Sequence, residues 1–213
     1  MAHDRTAQHE KRRRLFETAS AQAGYFSAAQ ARSAGYSAHA VLYHAATGTF
    51  ERISRGFYRI REFPSSSHED VIAAWVKAGS GRAVVSHETA LSLYDLSTVR
   101  PHKIDLTVPR RFRPPGNRPR WPSVYIHTTT RAFGRGDVVR RFGVRISSPA
   151  RTIIDTAEAG TDPEYIVDAV AAALERGLVT SEDLKCAAQG RPARVERLID
   201  RAIEEARRGT AVR

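Results

Sequence analysis

The sequence predicts an α+β protein of two domains, residues 1–62 and residues 63–213. Three observations carry this prediction. Two short helix patterns with a tight turn between them lie near the N-terminus, an arginine-rich hairpin pattern follows, and short apolar strands mixed with helix patterns fill the rest of the chain. A chain of 213 residues is long enough to bury the cores of two such domains.

The helix pair is marked by its caps. Ser27 can accept from first-turn amides while Gln30, three residues later, reaches back, as in a capping box. Gly35 can end this helix in a left-handed conformation, and Ser37 is placed as the N-cap of the next helix. So short a turn makes the two helices cross steeply, which is typical of a helix-turn-helix. A preceding helix can cover the pair with an apolar face formed by Leu15, Phe16, Ala19 and Ala23.

The second helix of the pair has one apolar and one polar side. Its apolar stripe consists of Ala38, Val41, Leu42 and Ala45. The remaining positions, which we expect to read bases, are Ser37, His39, Tyr43, His44 and Thr47. The DNA major groove admits a helix and shows a distinct donor and acceptor pattern for each base pair. Taken singly, each histidine or tyrosine here is about as well explained as an ordinary surface residue, so the prediction depends on the ordered combination.

The hairpin pattern covers residues 50–53 and 57–60, with a glycine-containing turn between them. Helix, turn, helix and hairpin in this order predict a winged helix-turn-helix that binds double-stranded DNA. The arginines that we expect near phosphates are Arg12, Arg13, Arg14, Arg52, Arg55 and Arg59. The basic run at residues 11–14 is also compatible with a merely solvated helix face.

The second domain is predicted to be mixed α/β, with a small sheet, covering helices and a helical C-terminal tail. Pro64 and the serines after it interrupt the pattern and mark the boundary. Short strands are expected around Val84, Ile104–Val108, Val124 and Val144. A helix capped by Ser66 or Ser67 is expected to end at Gly79, and further helices are expected near residues 86–94, 148–157, 163–176, 181 onward and 193–208.

The charge distribution points to an anionic partner. The formal net charge is +11, and residues 101–151 alone carry ten net positive charges. Much of this charge lies in a proline-rich loop whose arginines are Arg110, Arg111, Arg113, Arg118 and Arg120. This second basic surface has three open interpretations: it extends the DNA footprint, it meets an acidic protein, or it solvates the surface.

Several classes of function are disfavoured. The single cysteine, Cys186, leaves neither a disulfide framework nor a zinc-type cysteine cluster, and no apolar run reaches the length of a membrane span. Without a signal-peptide pattern, we expect a cytoplasmic protein. Phosphate-binding glycine loops and nucleophile elbows are also missing from the sequence, which predicts no cofactor, no metal and no catalytic residue.

Three acidic or histidine-containing positions resemble metal ligands at first sight. His68, with the two acids that follow it, fits a helix N-terminus, where acids favour the dipole. His87 falls in the first turn of another helix, and a role in a groove is its second interpretation. Asp105 lies on a strand, but the further carboxylate and lysine of a nuclease metal site do not follow it.

The chain resembles the AbiEi-type antitoxins of type IV toxin-antitoxin systems, bacterial proteins named after abortive phage infection. The segments that carry the resemblance are residues 24–31, 52–59, 85–91, 105–109 and 148–152. It implies an N-terminal winged helix that binds inverted repeats in the promoter of its own operon and represses transcription. It also implies a cognate nucleotidyltransferase-like toxin, counteracted directly or indirectly. Two alternatives stay open: a stand-alone winged-helix regulator without a toxin partner, and a DNA nuclease using the basic second domain.

Overall fold

A computed structural model describes residues 2–112 and 123–211, with side chains described within 6–112 and 123–208. The described residues form two compact units. The first contains residues 2–81 together with Phe142–Val144, and the second contains residues 82–112, 123–141 and those from 145 onward. No helix in the described part of the chain is long and apolar enough to cross a membrane.

The first unit is a winged helix-turn-helix, as predicted. Its elements are α1 (Ala2–Ser20), β1 (Tyr25–Ser27), α2 (Ala28–Ser33), α3 (Ala38–Ala46), β2 (Phe50–Ser54), β3 (Phe57–Ile60) and α4 (Glu69–Gly79). The three strands form an antiparallel sheet in the order β1-β3-β2, so that β3 is central. Strand β1 was not expected from the sequence.

The predicted caps set the ends of the helix pair. The Ser27 hydroxyl accepts from the amide of Gln30 at 3.2 Å, and the Gln30 side chain accepts from the amide of Ser27 at 2.8 Å. Gly35 follows with a φ of +99°, a conformation that L side chains avoid, and lets the chain turn into α3. Ser37 then caps α3 by accepting from the amide of Ala40 at 3.1 Å.

The sheet of the first unit is covered on both faces. On one face Phe26, Phe50 and Tyr58 belong to the buried core that also contains residues of α1, α2 and α3. On the other face Tyr25 stacks on Phe57 with ring centroids 5.3 Å apart. Helix α4 packs against β1 on this side. The compact unit therefore continues through α4 to residue 81, beyond the boundary at residue 62 that the sequence suggested.

The second unit is a mixed sheet with helices. Its elements are β4 (Val84–Val85), α5 (His87–Leu93), β5 (Ile104–Pro109), β6 (Val124–Thr129), β7 (Val138–Arg141), β8 (Val144–Ser147), α6 (Pro149–Ala159), α7 (Pro163–Glu175), α8 (Ser181–Ala188) and α9 (Ala193–Ala211). The strand order is β6-β5-β4-β8-β7. Strand β5 runs parallel to β6 and antiparallel to β4, and β4 runs parallel to β8. Strand β7 was not expected from the sequence.

The helices of the second unit share an apolar core and a buried ion network. Helix α6 buries Ile153 and Ile154 completely, and α7 packs along α9. The Asp155 carboxylate lies 2.7 Å from Arg151 Nε and 3.0 Å from Arg191 Nη2, and these three side chains are under 9% exposed. Removal of one partner of a buried ion pair would leave an uncompensated charge. The network therefore holds α6 against the segment that follows α8.

Candidate nucleic-acid interface

The second helix of the pair, α3, presents a different face from the one expected. Val41 is buried, with 4% of its surface exposed, and packs in the core of the winged helix. Leu42 is 49% exposed, and Ala38 is exposed as well, so neither belongs to the buried stripe. The expectation for Leu42 was wrong because a helix rotates by about 100° per residue, which carries it past the edge of the buried face.

Two of the predicted base-reading residues share this exposed face. Tyr43 is 59% exposed, and His39 is exposed one turn earlier. His44 does not join them. Its ring lies half-buried, with its centroid 5.1 Å from that of Phe50 and 5.7 Å from that of Tyr36. The prediction for His44 is corrected: its ring packs against the start of β2 and the turn between the helices.

Ser37 and Thr47, also predicted to read bases, lie at the two ends of α3. The Ser37 hydroxyl is engaged as the N-cap. Thr47 is the C-cap residue, and its hydroxyl donates to the carbonyl of Tyr43 at 3.1 Å. Both side chains are exposed, so each keeps hydroxyl lone pairs open to an approaching strand.

The wing is the hairpin of β2 and β3. A register shift between Arg52 and Ser54 interrupts the pairing, and Gly56 turns the chain with a φ of +72°. Arg52 and Arg55 are both exposed on this hairpin. A β-bulge increases the local twist and changes where side chains point. The wing therefore carries two solvent-facing guanidinium groups near its tip.

Arg59 does not belong to that set, and the prediction that it contacts phosphate is corrected. Its side chain is only 9% exposed, and its Nε lies 3.0 Å from Glu69 Oε1, too poorly aligned for a hydrogen bond but close enough for an ion pair. Its Nη2 donates to the carbonyl oxygens of Phe63 at 2.8 Å and Pro64 at 3.3 Å. Because β3 is the central strand and α4 covers this face, Arg59 points inward.

Tyr25 completes this cluster. Its hydroxyl donates to Glu69 Oε1 at 2.8 Å, and the guanidinium carbon of Arg59 lies 5.5 Å from the centre of its ring. Burial, followed by the bond to Glu69, raises the pKa of Tyr25 to about 12. The bond from Tyr25 and the charge of Arg59 hold the pKa of Glu69 below its usual value. The cluster fastens α4 to the sheet.

The arginines of α1 differ in what surrounds them. Arg13 lies 2.8 Å from Glu10 and 2.7 Å from Glu17, and Arg14 lies 2.9 Å from Glu10. These two hydrogen-bonded arginines lower the pKa of Glu10 to about 2. These side chains are 38% to 60% exposed, so each pair is weak and can open to a phosphate. Arg12, by contrast, lines a groove of the first unit.

This groove has a volume of about 1080 Å³ and lies between α1, the start of α3 and the loop after β3. The residues that matter for its chemistry are Lys11, Arg12, Tyr36, Ser37 and Phe63. Its basic side chains are on α1, next to the N-terminus of α3, and Glu62 lines it from the loop after β3. This arrangement brings two cations beside the helix end whose free amides already favour an anion.

Only part of the predicted second basic surface can be located. Arg110 and Arg111 follow β5 and are exposed. Arg113, Arg118 and Arg120 lie outside the described residues. The three interpretations of this surface therefore remain predictions.

Two family descriptions match the chain. Residues 13–61 match "Transcriptional regulator, AbiEi antitoxin", and residues 82–203 match "AbiEi antitoxin C-terminal domain". The second match alone spans more than half of the chain. The chain belongs to the AbiEi antitoxin family. Its family is one of transcriptional regulators of toxin-antitoxin systems, in agreement with the resemblance noted in the sequence.

A solved structure is similar to this AbiEi antitoxin in fold. The crystal structure of the RV2827C protein from Mycobacterium tuberculosis matches with a TM-score of 0.59 at 10% sequence identity, over 90% of this chain and 75% of that chain. At this identity the likeness concerns the fold alone. Among curated proteins, none matches this chain.

The second unit contains a polar cluster that was not predicted from the sequence. Asp105 Oδ1 accepts from His127 Nε2 at 2.9 Å, while Asp105 Oδ2 lies 3.2 Å from the Thr89 hydroxyl. The ring of His87 is stacked on that of His127, with centroids 3.5 Å apart and an interplanar angle of 8°. His127 was missed because its partners come from different elements, although Asp105 and Tyr125 pair across β5 and β6.

The cluster bears on the nuclease interpretation. Within the described ranges, no group of three or more histidine, cysteine, aspartate or glutamate side chains is arranged to hold a metal ion. The carboxylate of Asp105, the residue that suggested such a site, is engaged by His127 and Thr89 instead. The two family descriptions name a regulator and an antitoxin.

Proposed function

We propose that this chain is a DNA-binding antitoxin that represses its own operon. In this proposal α3 enters the major groove of promoter DNA, and the exposed residues His39, Leu42 and Tyr43 meet the base edges. The observation that carries the proposal is the exposure of these side chains on one face of a capped helix, with exposed arginines on the adjoining wing.

The phosphate contacts are assigned to three arginines. Arg52 and Arg55 extend from the wing, and Arg12 lies at the groove beside the N-terminus of α3. Arg13 and Arg14 supplement them when their exposed pairs with acids of α1 open. Phosphate contacts fix the position of the protein on the duplex, whereas contacts to base edges select the sequence.

The antitoxin activity is assigned to the second unit. The family is one of antitoxins, and we propose that the partner is a nucleotidyltransferase-like toxin of a type IV system, counteracted directly or indirectly without catalysis by this chain. Operators with inverted repeats would suit two copies of the winged helix, because a two-fold arrangement of reading heads matches a palindromic site. The protein would act in the cytoplasm.

The DNA-binding part is tested by fluorescence anisotropy with the duplex upstream of the gene, over a series of salt concentrations. Arg52→Ala and Arg55→Ala should weaken binding to every duplex and reduce the salt slope by nearly one unit each. Tyr43→Ala and His39→Ala should change the preference between operator and scrambled duplex. The matched control is Arg207→Ala, an exposed arginine of α9, which should leave both quantities unchanged.

Two outcomes would contradict this assignment. Equal effects of the wing and α3 variants on operator and scrambled duplex would remove the groove role of α3. Full operator binding by the double variant Arg52→Ala, Arg55→Ala would remove the role of the wing. The antitoxin part is tested separately by co-expression with the adjacent gene and scoring of colony survival, which requires no DNA measurement.

A further inference from the structure

The edge of the sheet in the second unit carries an exposed aromatic residue that the proposed function does not use. Among the described strands, β6 lies at one end of the order β6-β5-β4-β8-β7. Tyr125 and His127 are two residues apart on β6 and therefore point to the same face. Tyr125 is 53% exposed, and its ring centroid lies 4.5 Å from that of His127.

His127 is held in one orientation by its surroundings. Its Nε2 donates to Asp105 at 2.9 Å, and its ring face rests on the parallel ring of His87. His87 is in turn bonded through Nδ1 to the hydroxyl of Ser86 at 2.9 Å. Tyr125 thus packs its ring at 67° against a support that cannot rotate freely. A ring fixed in advance loses little entropy when a flat ligand stacks on it.

The placement of His87 beneath His127 lowers the stability of the fold. His87 has a φ of +52°, which is strained for a residue other than glycine, and it is 8% exposed. Burial, followed by the charge of His127, lowers the pKa of His87 to about 3, so that its ring is neutral at physiological pH. Strained backbone and buried polar networks are concentrated at functional sites, since stability alone does not favour them.

Cationic side chains lie at both ends of the strand that borders β6. Lys103 is exposed just before β5, and Arg110 and Arg111 are exposed just after it. Strand β5 has six residues, so these two ends lie roughly 20 Å apart at about 3.3 Å per residue. Because β6 runs parallel to β5 with Ile104 opposite Val124, Tyr125 lies between the two groups along the strand direction.

We propose that this edge, formed by Tyr125, His127 and the cations flanking β5, binds single-stranded nucleic acid. An unpaired base would stack on the ring of Tyr125, and the adjoining phosphates would approach the lysine and arginines. An exposed aromatic ring with cations on either side of it, within reach of the neighbouring phosphates, is the combination by which proteins hold single strands without sequence preference.

The proposed site for single-stranded nucleic acid is distinct from the proposed site for duplex DNA. In a duplex the faces of the bases are covered by their neighbours, so a single exposed ring gains little unless a base leaves the stack. The single-strand site uses none of the residues to which the proposed function assigns operator contacts, and it gives Arg110 and Arg111 of the second basic surface a role beyond the proposed repressor and antitoxin function. It gives the second unit a nucleic-acid ligand of its own.

The test uses the full chain carrying Arg52→Ala and Arg55→Ala, so that the wing contributes little. Binding of fluorescein-labelled oligothymidylate and oligouridylate of about twenty nucleotides, longer than one site, is followed by anisotropy at low salt. Tyr125→Ala in this background should weaken binding at least about fivefold, since stacking of one base contributes about 1 kcal/mol or more. Tyr125→Phe keeps the ring and should bind like the parent.

The matched control is Tyr165→Ala on α7, another tyrosine of the same unit that is 37% exposed, and it should leave binding unchanged. The proposal is overturned if the parent binds neither oligomer, or if Tyr125→Ala and Tyr165→Ala bind alike. It is also overturned if restoring Arg52 and Arg55 is needed for any binding, because the strand would then lie on the wing. Self-association lost in Tyr125→Ala, without oligomer binding, would instead assign the edge to a second copy of the chain. Comparison of the oligothymidylate and oligouridylate affinities shows whether the site prefers single-stranded DNA or single-stranded RNA.

Discussion

Arg59 and Arg55 lie on the same hairpin, yet the structure predicts opposite consequences for their replacement by alanine. Arg59→Ala removes two hydrogen bonds from a guanidinium group to carbonyl oxygens and the ion pair with Glu69. Charged hydrogen bonds contribute about 1.5 to 3 kcal/mol each, and loss of one partner of a fully buried pair costs about 3 to 5 kcal/mol.

The expected loss lies near the lower end of those ranges. The Glu69 side chain is 25% exposed and keeps the hydroxyl of Tyr25 at 2.8 Å, so its charge is not stranded when Arg59 is removed. We expect Arg59→Ala to lower the free energy of unfolding of the first unit by about 3 kcal/mol. Arg55→Ala, at an exposed position, should change it by less than about 0.5 kcal/mol.

Urea denaturation followed by tryptophan fluorescence measures the free energy of unfolding, because Trp75 of α4 is buried in the first unit. Anisotropy over a salt series measures how duplex binding depends on salt. Arg55→Ala should reduce the salt slope of duplex binding by nearly one unit, whereas Arg59→Ala, where folded, should leave the slope unchanged. A folded Arg59→Ala variant with unchanged stability and a reduced slope would refute the inward placement of this arginine.

Three further predictions follow from single positions. Val41→Ala should lower the free energy of unfolding by about 2 kcal/mol, whereas Leu42→Ala should lower it by less than about 1 kcal/mol and weaken duplex binding. Urea denaturation measures the stability of both variants, and anisotropy measures their binding. Gly35→Ala should cost about 1 to 2 kcal/mol, because φ is +99° and the added carbon meets Lys11 at 3.0 Å, whereas the control Gly81→Ala has open space and should be neutral in thermal melts. The pKa of His87 is lowered in the folded protein, so the unfolded chain takes up a proton on this ring at a higher pH than the folded one. The free energy of unfolding should therefore fall as the pH drops from 6.5 towards about 3, by up to about 1.4 kcal/mol per pH unit. His87→Gln should flatten this dependence, which denaturation at neutral pH and at about pH 5 measures.

The winged helix could be predicted because its signals are local. Ser27, Gln30 and Ser37 accept hydrogen bonds from amides three residues away, and Gly35 supplies the conformation that the turn needs. Such contacts depend on chain neighbours and not on the rest of the fold. The same locality explains why most helix starts of the second unit were also recognised.

The errors arise where distant elements decide. The three residues of β1 read as a lead-in to α2, and only pairing with β3 makes them a strand. Once β3 is central, Phe57, Tyr58 and Arg59 are all buried, and the alternation that would assign Arg59 to solvent no longer holds. His127 and Asp105 meet because β5 and β6 are parallel neighbours, a pairing that periodicity cannot supply.

The bond between α4 and the sheet sets where this protein can be dissected. A fragment ending at residue 62 would leave Tyr25 and Phe57 facing water and Arg59 without Glu69. Such a fragment should aggregate or unfold, and its failure to bind an operator would say nothing about the reading helix. A cut after residue 81 retains the ion pair of Arg59 with Glu69, so a stable repressor fragment is expected to need α4, a helix that carries none of the residues proposed to contact DNA.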